Sequence, residues 1–277
     1  NWNQLLNTLR KVDYNNYKGI IILHGTDTLA FSASLLSILL AGIKIPVCLV
    51  SSQLPLDYSE TNGNANFRAS VELIMNNIAP NVYAVYRNSN GIIYTHFGSQ
   101  LLQCENYSED FYSRDAMEIK DPNNAALEGK AFETSDILIN KIPSLTPCVL
   151  KIMPFVGIDY NAYNLNGIRA VVHGTYHSET VCVERKNGRG DYSNYSILSL
   201  MDRCKDNNIP LFLAPCSPQA YKYESTGDIL ANGASHICGM TNEMAYIKTL
   251  VGCALKLDNE ALKEFVNKSI NYEIIYS

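Results

Sequence analysis

The chain has 277 residues, enough for one large or two medium domains around a buried core. Hydrophobic residues make up 47% of it and charged residues 18%, which excludes a disordered chain. A net charge of −5 argues against a nucleic-acid-coating surface, and the longest apolar runs, such as Ala33 to Ala41, are too short to span a membrane.

In chain order, Trp2 to Val12 reads as an amphipathic helix and Gly19 to Leu23 as a strand buried on both faces of a parallel sheet. Leu29 to Ala41 reads as a helix, Pro46 to Val50 as a strand, Ala65 to Asn76 as a helix and Val82 to Tyr86 as a strand. Two successive strand–helix–strand units with short turns imply a doubly wound, mostly parallel α/β sheet with right-handed crossovers. Asn90-Gly91 marks a hairpin turn, and the polar stretch through Asp121-Pro122-Asn123-Asn124 to Lys141 reads as an interdomain connection. Alternation resumes with strands at Val149 to Ile152 and Ala170 to His173. A helix at Tyr195 to Lys205, a strand at Pro210 to Ala214 and a helix at Asn242 to Leu255 follow. The expected organisation is therefore a doubly wound domain over residues 1–135, the larger one once an expected upstream segment is counted, and a smaller α/β domain over residues 136–277.

The eight cysteines, at 48, 104, 148, 182, 204, 216, 238 and 253, stand singly, several inside apolar runs. They read as reduced, buried thiols of a cytoplasmic protein and not as a disulfide framework. The chain opens on Asn1-Trp2-Asn3 without an initiator Met, so a true beginning upstream is expected.

The segment that bears chemistry most directly is His24-Gly25-Thr26-Asp27-Thr28, between a strand and a helix. Its plain reading is a turn in which Gly25 allows the bend and Thr26 or Asp27 caps the helix. Its functional reading uses the same geometry, because ligands in open parallel sheets bind beyond the carboxyl ends of the strands. A hydroxyl beside a carboxylate there offers a nucleophile or relay and an anchor for a substrate ammonium group.

These five residues resemble a signature of the bacterial-type asparaginase/glutaminase family. Further islands follow in family order. Tyr17-Lys18-Gly19 is similar to the family's lead-in, Pro46 to Ser51 with Ser52-Gln53-Leu54-Pro55 to its next strand and turn, and Asn62-Gly63 with Asn66 to its next helix. Gly239-Met240-Thr241-Asn242-Glu243-Met244-Ala245, with Lys248 and Leu250, resembles its last signature helix. The type I branch is the closer subgroup.

The resemblance implies hydrolysis of the side-chain amide of L-asparagine to L-aspartate and ammonia, with no metal or organic cofactor. Family members use two threonines: one on an upstream T-G-G-T loop attacks the amide carbon, and a second, matching Thr26, is bridged to a lysine that accepts its proton. The aspartate matching Asp27 holds the substrate's α-ammonium, and the backbone near Ser52 lines the site. A homodimer or homotetramer with sites at the subunit boundary is also implied.

Three features depart from the family pattern. No T-G-G-T motif occurs, which accords with a missing upstream segment. The lysine position falls on Leu102 or Gln103, counted back from Phe111-Tyr112-Ser113, and neither residue accepts a proton. The family's glycine-asparagine turn is replaced by Gly174-Thr175-Tyr176-His177-Ser178-Glu179-Thr180, whose His177 and Glu179 read as surface-loop residues or as catalytic substitutes. A milder change is Gly239, which stands where the family has an aspartate.

Weaker candidates read as structural. His173 and His177 have a helical metal spacing, but Ala170 to His173 is expected as a strand. Gly188-Arg189-Gly190 reads as a turn, Cys216 as a packing or regulatory thiol, and Met240 as core. The expected function is thus an L-asparagine amidohydrolase. Two other readings compete: a degenerate member that binds asparagine or aspartate without turnover, and an amidotransferase component that feeds ammonia to glutamyl-tRNA, which the acidic surface disfavours.

Overall fold

The computed structural model describes residues 2–121, 123, 125, 127, 129–134, 137–185, 192–217 and 223–275. The chain forms two compact units, one of residues 1–144 with 269–273, the other of 145–268 with 274–277.

The first unit runs α1 (Trp2–Leu9), β1 (Ile20–Leu23), α2 (Leu29–Leu39), β2 (Val47–Val50), α3 (Gly63–Met75), β3 (Val82–Arg87), β4 (Ile93–Phe97) and β5 (Met117–Ile119). Its sheet has the order β1-β2-β3-β4-β5. β1, β2 and β3 are parallel, and β4 and β5 add antiparallel. Antiparallel pairing follows from the Asn90-Gly91 turn: Gly91 takes a φ of +80°, which a glycine reaches without a Cβ penalty. Helices cover both faces. Leu73 and Ile74 of α3 pack with Cys48, Tyr83, Val85 and Phe97 on one side. α2 lies on the other, so close that a Cβ on Gly98 would meet Ser37 Oγ at 2.8 Å and the Ala33 carbonyl at 3.1 Å. Burial on both faces explains why β2 is wholly apolar. β1 ends the sheet and is less covered, with Leu23 72% exposed, so the reading of Gly19–Leu23 as buried on both faces is corrected for this strand.

The stretch read as a connection is anchored in this unit. Arg10, just past α1, donates from Nε to the Ile139 carbonyl (3.0 Å) and from Nη2 to that of Ile142 (2.7 Å), and both isoleucines are buried. Pro122 and Asn124 of the expected turn lie outside the described residues.

The second unit runs β6 (Val149–Ile152), β7 (Ala170–His173), α4 (Ile197–Asp206), β8 (Leu211–Cys216), α5 (Glu224–Ala231), β9 (Ser235–Cys238), α6 (Asn242–Ala254) and α7 (Asn259–Asn267). Its sheet is parallel in the order β6-β7-β8-β9. Val171, Leu211 and Leu213 meet Ile197, Leu200, Met201 and Ile229 in the core. The cap residues Thr241 and Asp258 fix where two helices begin, accepting from Met244 N (3.1 Å) and Ala261 N (2.9 Å). α5, β9 and α7 are additions to the elements expected from the sequence. Gly188-Arg189-Gly190 lies outside the described residues.

Candidate active site

β1 delivers Thr26 and Asp27 to the carboxyl edge of the first sheet. His24 N extends the ladder to the Val50 carbonyl (2.9 Å), and the chain then turns. The turn is held from below: His24 Nδ1 contacts the Gly25 carbonyl (2.6 Å), and Nε2 contacts Ser32 Oγ (2.8 Å), which also accepts from Trp2 Nε1 (2.8 Å). The N-cap of α2 is Thr28, with no side-chain cap bond. Capping by Thr26 or Asp27, the plain reading, is therefore corrected, and it does not explain why a hydroxyl and a carboxylate stand there.

Two asparagines align the neighbouring strand ends. Asn62 Oδ1 accepts from Gln53 N (3.0 Å), and Asn62 Nδ2 donates to the Arg87 carbonyl (2.8 Å). Asn66 Nδ2 donates to the Ser51 carbonyl (2.9 Å), and Asn66 Oδ1 accepts from Arg87 N (2.8 Å). Gly63 is required by close approach, since a Cβ would fall 2.6 Å from Leu56 and 2.8 Å from Ser52 Oγ. The Ser52 hydroxyl donates to the Leu54 carbonyl (2.6 Å) and meets Thr61 Oγ1 (2.7 Å), so it is engaged within its own turn.

A cleft of about 340 Å³ opens at this edge, lined by Thr26, Asp27, Gln53, Tyr86, Gln103 and the 104–109 segment. Gln103, not Leu102, is the residue that faces it. Gln103 Nε2 donates to the Asp27 carbonyl (2.7 Å), while its Oε1 is buried without a hydrogen-bond partner among the described residues. Asp27, Glu105 and Glu109 give the lining three carboxylates, and among the described residues no lysine, arginine or histidine lines it. Such a cleft favours a cationic group. Burial pushes the Tyr86 phenol and the Cys104 thiol above their usual ranges, so both stay protonated.

His177 and Glu179 line a different cleft, within the second unit, with Thr175, Cys216 and Asn242. Glu179 sits at φ +61°, accepting from Ser217 Oγ (3.0 Å) through its carboxylate and from Thr226 Oγ1 (2.8 Å) through its carbonyl. Cys216 is buried, and desolvation pushes its thiol up to about 12. His173 is in strand β7 and contacts the Tyr160 hydroxyl through Nε2 (2.8 Å) and the Gly174 carbonyl through Nδ1 (2.6 Å). Among the described residues no three His, Cys, Asp or Glu side chains gather as a metal would need.

Gln53, Tyr86, Glu105 and Glu109 line the first cleft without having been expected there as site residues. Gln53 follows Ser52 in the turn already singled out. The acidic run 105–110 is the other signal that could have pointed to this rim.

The family model described as "Asparaginase, N-terminal" matches residues 1–121. Those residues, 121 of the chain's 277, are similar to the N-terminal domain of the asparaginase family. The chain is 45% identical over 56 residues to L-asparaginase 1 of Escherichia coli (strain K12), covering 20% of this chain and 17% of that protein. It is 24% identical to a glutamyl-tRNA(Gln) amidotransferase component of Aeropyrum pernix, covering 99% of this chain and 65% of that protein. In both cases the aligned region is less than two thirds of the relative. The solved structure of the thermostable L-asparaginase from Thermococcus kodakarensis has the same fold. It matches with a TM-score of 0.76 at 20% identity, over 100% of this chain and 81% of that one.

Proposed function

We propose that the chain is an amidohydrolase that converts L-asparagine to L-aspartate and ammonia, without a cofactor. The observation that carries this reading is the Thr26–Asp27 pair at the carboxyl end of β1, in an acidic cleft also lined by Gln103, which is hydrogen-bonded to the Asp27 backbone. Asp27 anchors the α-ammonium group, and the Thr26 hydroxyl lies beside the position of the substrate amide. In the reaction water is consumed, the amide carbon gains oxygen, and the amide nitrogen leaves as ammonia. Ser52 acts through the turn that aims Gln53, and Gln103 stands in for the family's lysine as a hydrogen-bonding residue. His177 and Glu179 are then residues of the second unit's own cleft or contributors to a neighbouring copy of the chain. The reading extends to a cytoplasmic homo-oligomer, in which the eight free thiols suit a reducing compartment.

A second reading, binding without turnover, rests on the same Gln103. Its amide nitrogen is committed to a carbonyl, and an amide oxygen does not take a proton at neutral pH. The amidotransferase reading has no such observation behind it. Titration calorimetry of the protein with L-asparagine tests the shared part of both readings. Binding that Asp27→Asn weakens supports the site; binding unchanged by Asp27→Asn overturns it.

A further inference from the structure

The triplet His-Gly-Thr occurs twice, each time where a parallel strand ends: His24-Gly25-Thr26 after β1 and His173-Gly174-Thr175 at the end of β7. Both histidines make the same pair of contacts. Nδ1 meets the carbonyl of the following glycine at 2.6 Å, and Nε2 meets a hydroxyl at 2.8 Å, that of Ser32 in the first unit and of Tyr160 in the second. A carbonyl only accepts, so Nδ1 carries the ring hydrogen. The neutral ring then has a lone pair at Nε2, which accepts from the hydroxyl. In the first unit the chain of bonds extends one step further. The indole of Trp2, in α1, only donates, and it gives its Nε1 hydrogen to Ser32 Oγ (2.8 Å). Ser32 is wholly buried, so its own hydroxyl hydrogen must be taken up within the protein, and His24 takes it. The bonds therefore run one way, from Trp2 to Ser32 to His24 to the Gly25 carbonyl, and bonds aligned in one sense strengthen each other.

We propose that Trp2, Ser32 and His24 are positioning residues, a one-way relay that sets the Gly25 carbonyl and with it the direction in which Thr26 and Asp27 face the cleft. The inference rests on the reading of Thr26 and Asp27 as the working pair of the site. Packing does not hold the turn at Gly25, where a Cβ would meet no atom within 4 Å. Hydrogen bonds hold it instead: His24 fixes the carbonyl before Thr26, and Gln103 fixes the carbonyl of Asp27. Between these two anchors the side chains of Thr26 and Asp27 have no hydrogen-bond partner among the described residues, and both line the cleft. A fixed backbone with uncommitted side chains suits ligand binding, because a turn that had to be ordered on binding would lose affinity to conformational entropy. Trp2 reaches this turn from another helix, so α1 contributes to the site through a single donor.

The test is heteronuclear NMR of the full chain at mildly alkaline pH, in which long-range couplings across the imidazole rings report which nitrogen carries the hydrogen. His24 is expected on the Nδ1–H tautomer, with His173 as the internal reference for that form; His24 on the Nε2–H tautomer would overturn the proposal. Trp2→Phe keeps an aromatic ring and removes the donor. It is expected to shift the backbone amide signals of Thr26 and Asp27 and to weaken L-asparagine binding by calorimetry about 3- to 10-fold, the worth of one net hydrogen bond. In a His24→Leu background the same substitution is expected to change neither, because the relay is already cut. Ser32→Ala removes the middle link and is read in the same way should Trp2→Phe not fold. Equal effects in both backgrounds would overturn the proposal by showing that Trp2 acts through packing alone. So would Thr26 and Asp27 signals that stay in place in Trp2→Phe. If the native protein binds no L-asparagine, the functional reading falls, and the tautomer and the two amide signals still decide the relay.

Discussion

At the scale of single residues, the account turns on charge. A charge-assisted hydrogen bond to a substrate ammonium group contributes about 1.5–3 kcal/mol, so Asp27→Asn is expected to weaken L-asparagine binding roughly 10- to 100-fold by calorimetry. Gln103 offers a converse test. Restoring a base by Gln103→Lys is expected to raise turnover, with general-base help typically contributing about 10²- to 10⁴-fold. Turnover that fell in the lysine variant would show that Gln103's bond to the Asp27 carbonyl matters more than basicity at that position. Two histidines outside the site set an acid limit on stability. Burial lowers His96 and His173 from the ordinary value near 6.5 to about 4. Both are therefore neutral when folded and protonate in the unfolded chain as the pH falls below about 6.5. Stability is fully present above that pH and is lost progressively down to about 4, with each site contributing about 3 kcal/mol. The urea midpoint is expected to drop over this range, and His96→Gln is expected to flatten the drop. A midpoint independent of pH between about 7 and 4 would contradict the assignment.

At the scale of elements, the sequence is most legible where burial is two-sided. β2 and β3 are short apolar runs bounded by turns, and they lie where the alternation puts them. β9 is Ser-His-Ile-Cys, four residues with one fully buried side chain, and such a run carries no period to read. α7 differs, because its Asp258 cap and its buried Leu262 and Val266, four residues apart, are an amphipathic signal present in the sequence and absent from the expected elements. The cap of α2 is not legible in the same way, because Thr26, Asp27 and Thr28 are all good cap residues and only the backbone distinguishes them. α6 and α7 also share an interaction that pattern alone does not show. Lys248, wholly buried in α6, donates through Nζ to the carbonyl of Lys268 at the end of α7, with its charge 5.9 Å from the Phe265 ring centre. Removing the donor leaves a helix-terminal carbonyl unsatisfied, so Lys248→Met is expected to destabilise by about 1–3 kcal/mol, read as a lowered urea midpoint. A midpoint equal to wild type would mean that the packing of the lysine stem, and not its charge, holds α7.

At the scale of the whole molecule, composition and charge restrict the partners more than they define the chemistry. The excess of acidic residues runs into the first cleft itself, where Asp27, Glu105 and Glu109 have no cationic counterpart among the described lining residues. That Thr26 and Asp27 stand at a strand end on the lining of this cleft is legible in the sequence, because the apolar run of β1 stops just before them. The rim contributed by residues 104–109 was not, since a polar loop has no periodicity and its place over β1 is set by tertiary contacts such as the bond from Gln103 to Asp27. The measurement that tests the central claim most directly is ammonia release from L-asparagine by the full product of the native gene, compared with its Thr26→Ala variant. The account expects release from the native protein and its loss in the variant. Release that survives Thr26→Ala, or native protein that binds L-asparagine and releases no ammonia, would contradict it.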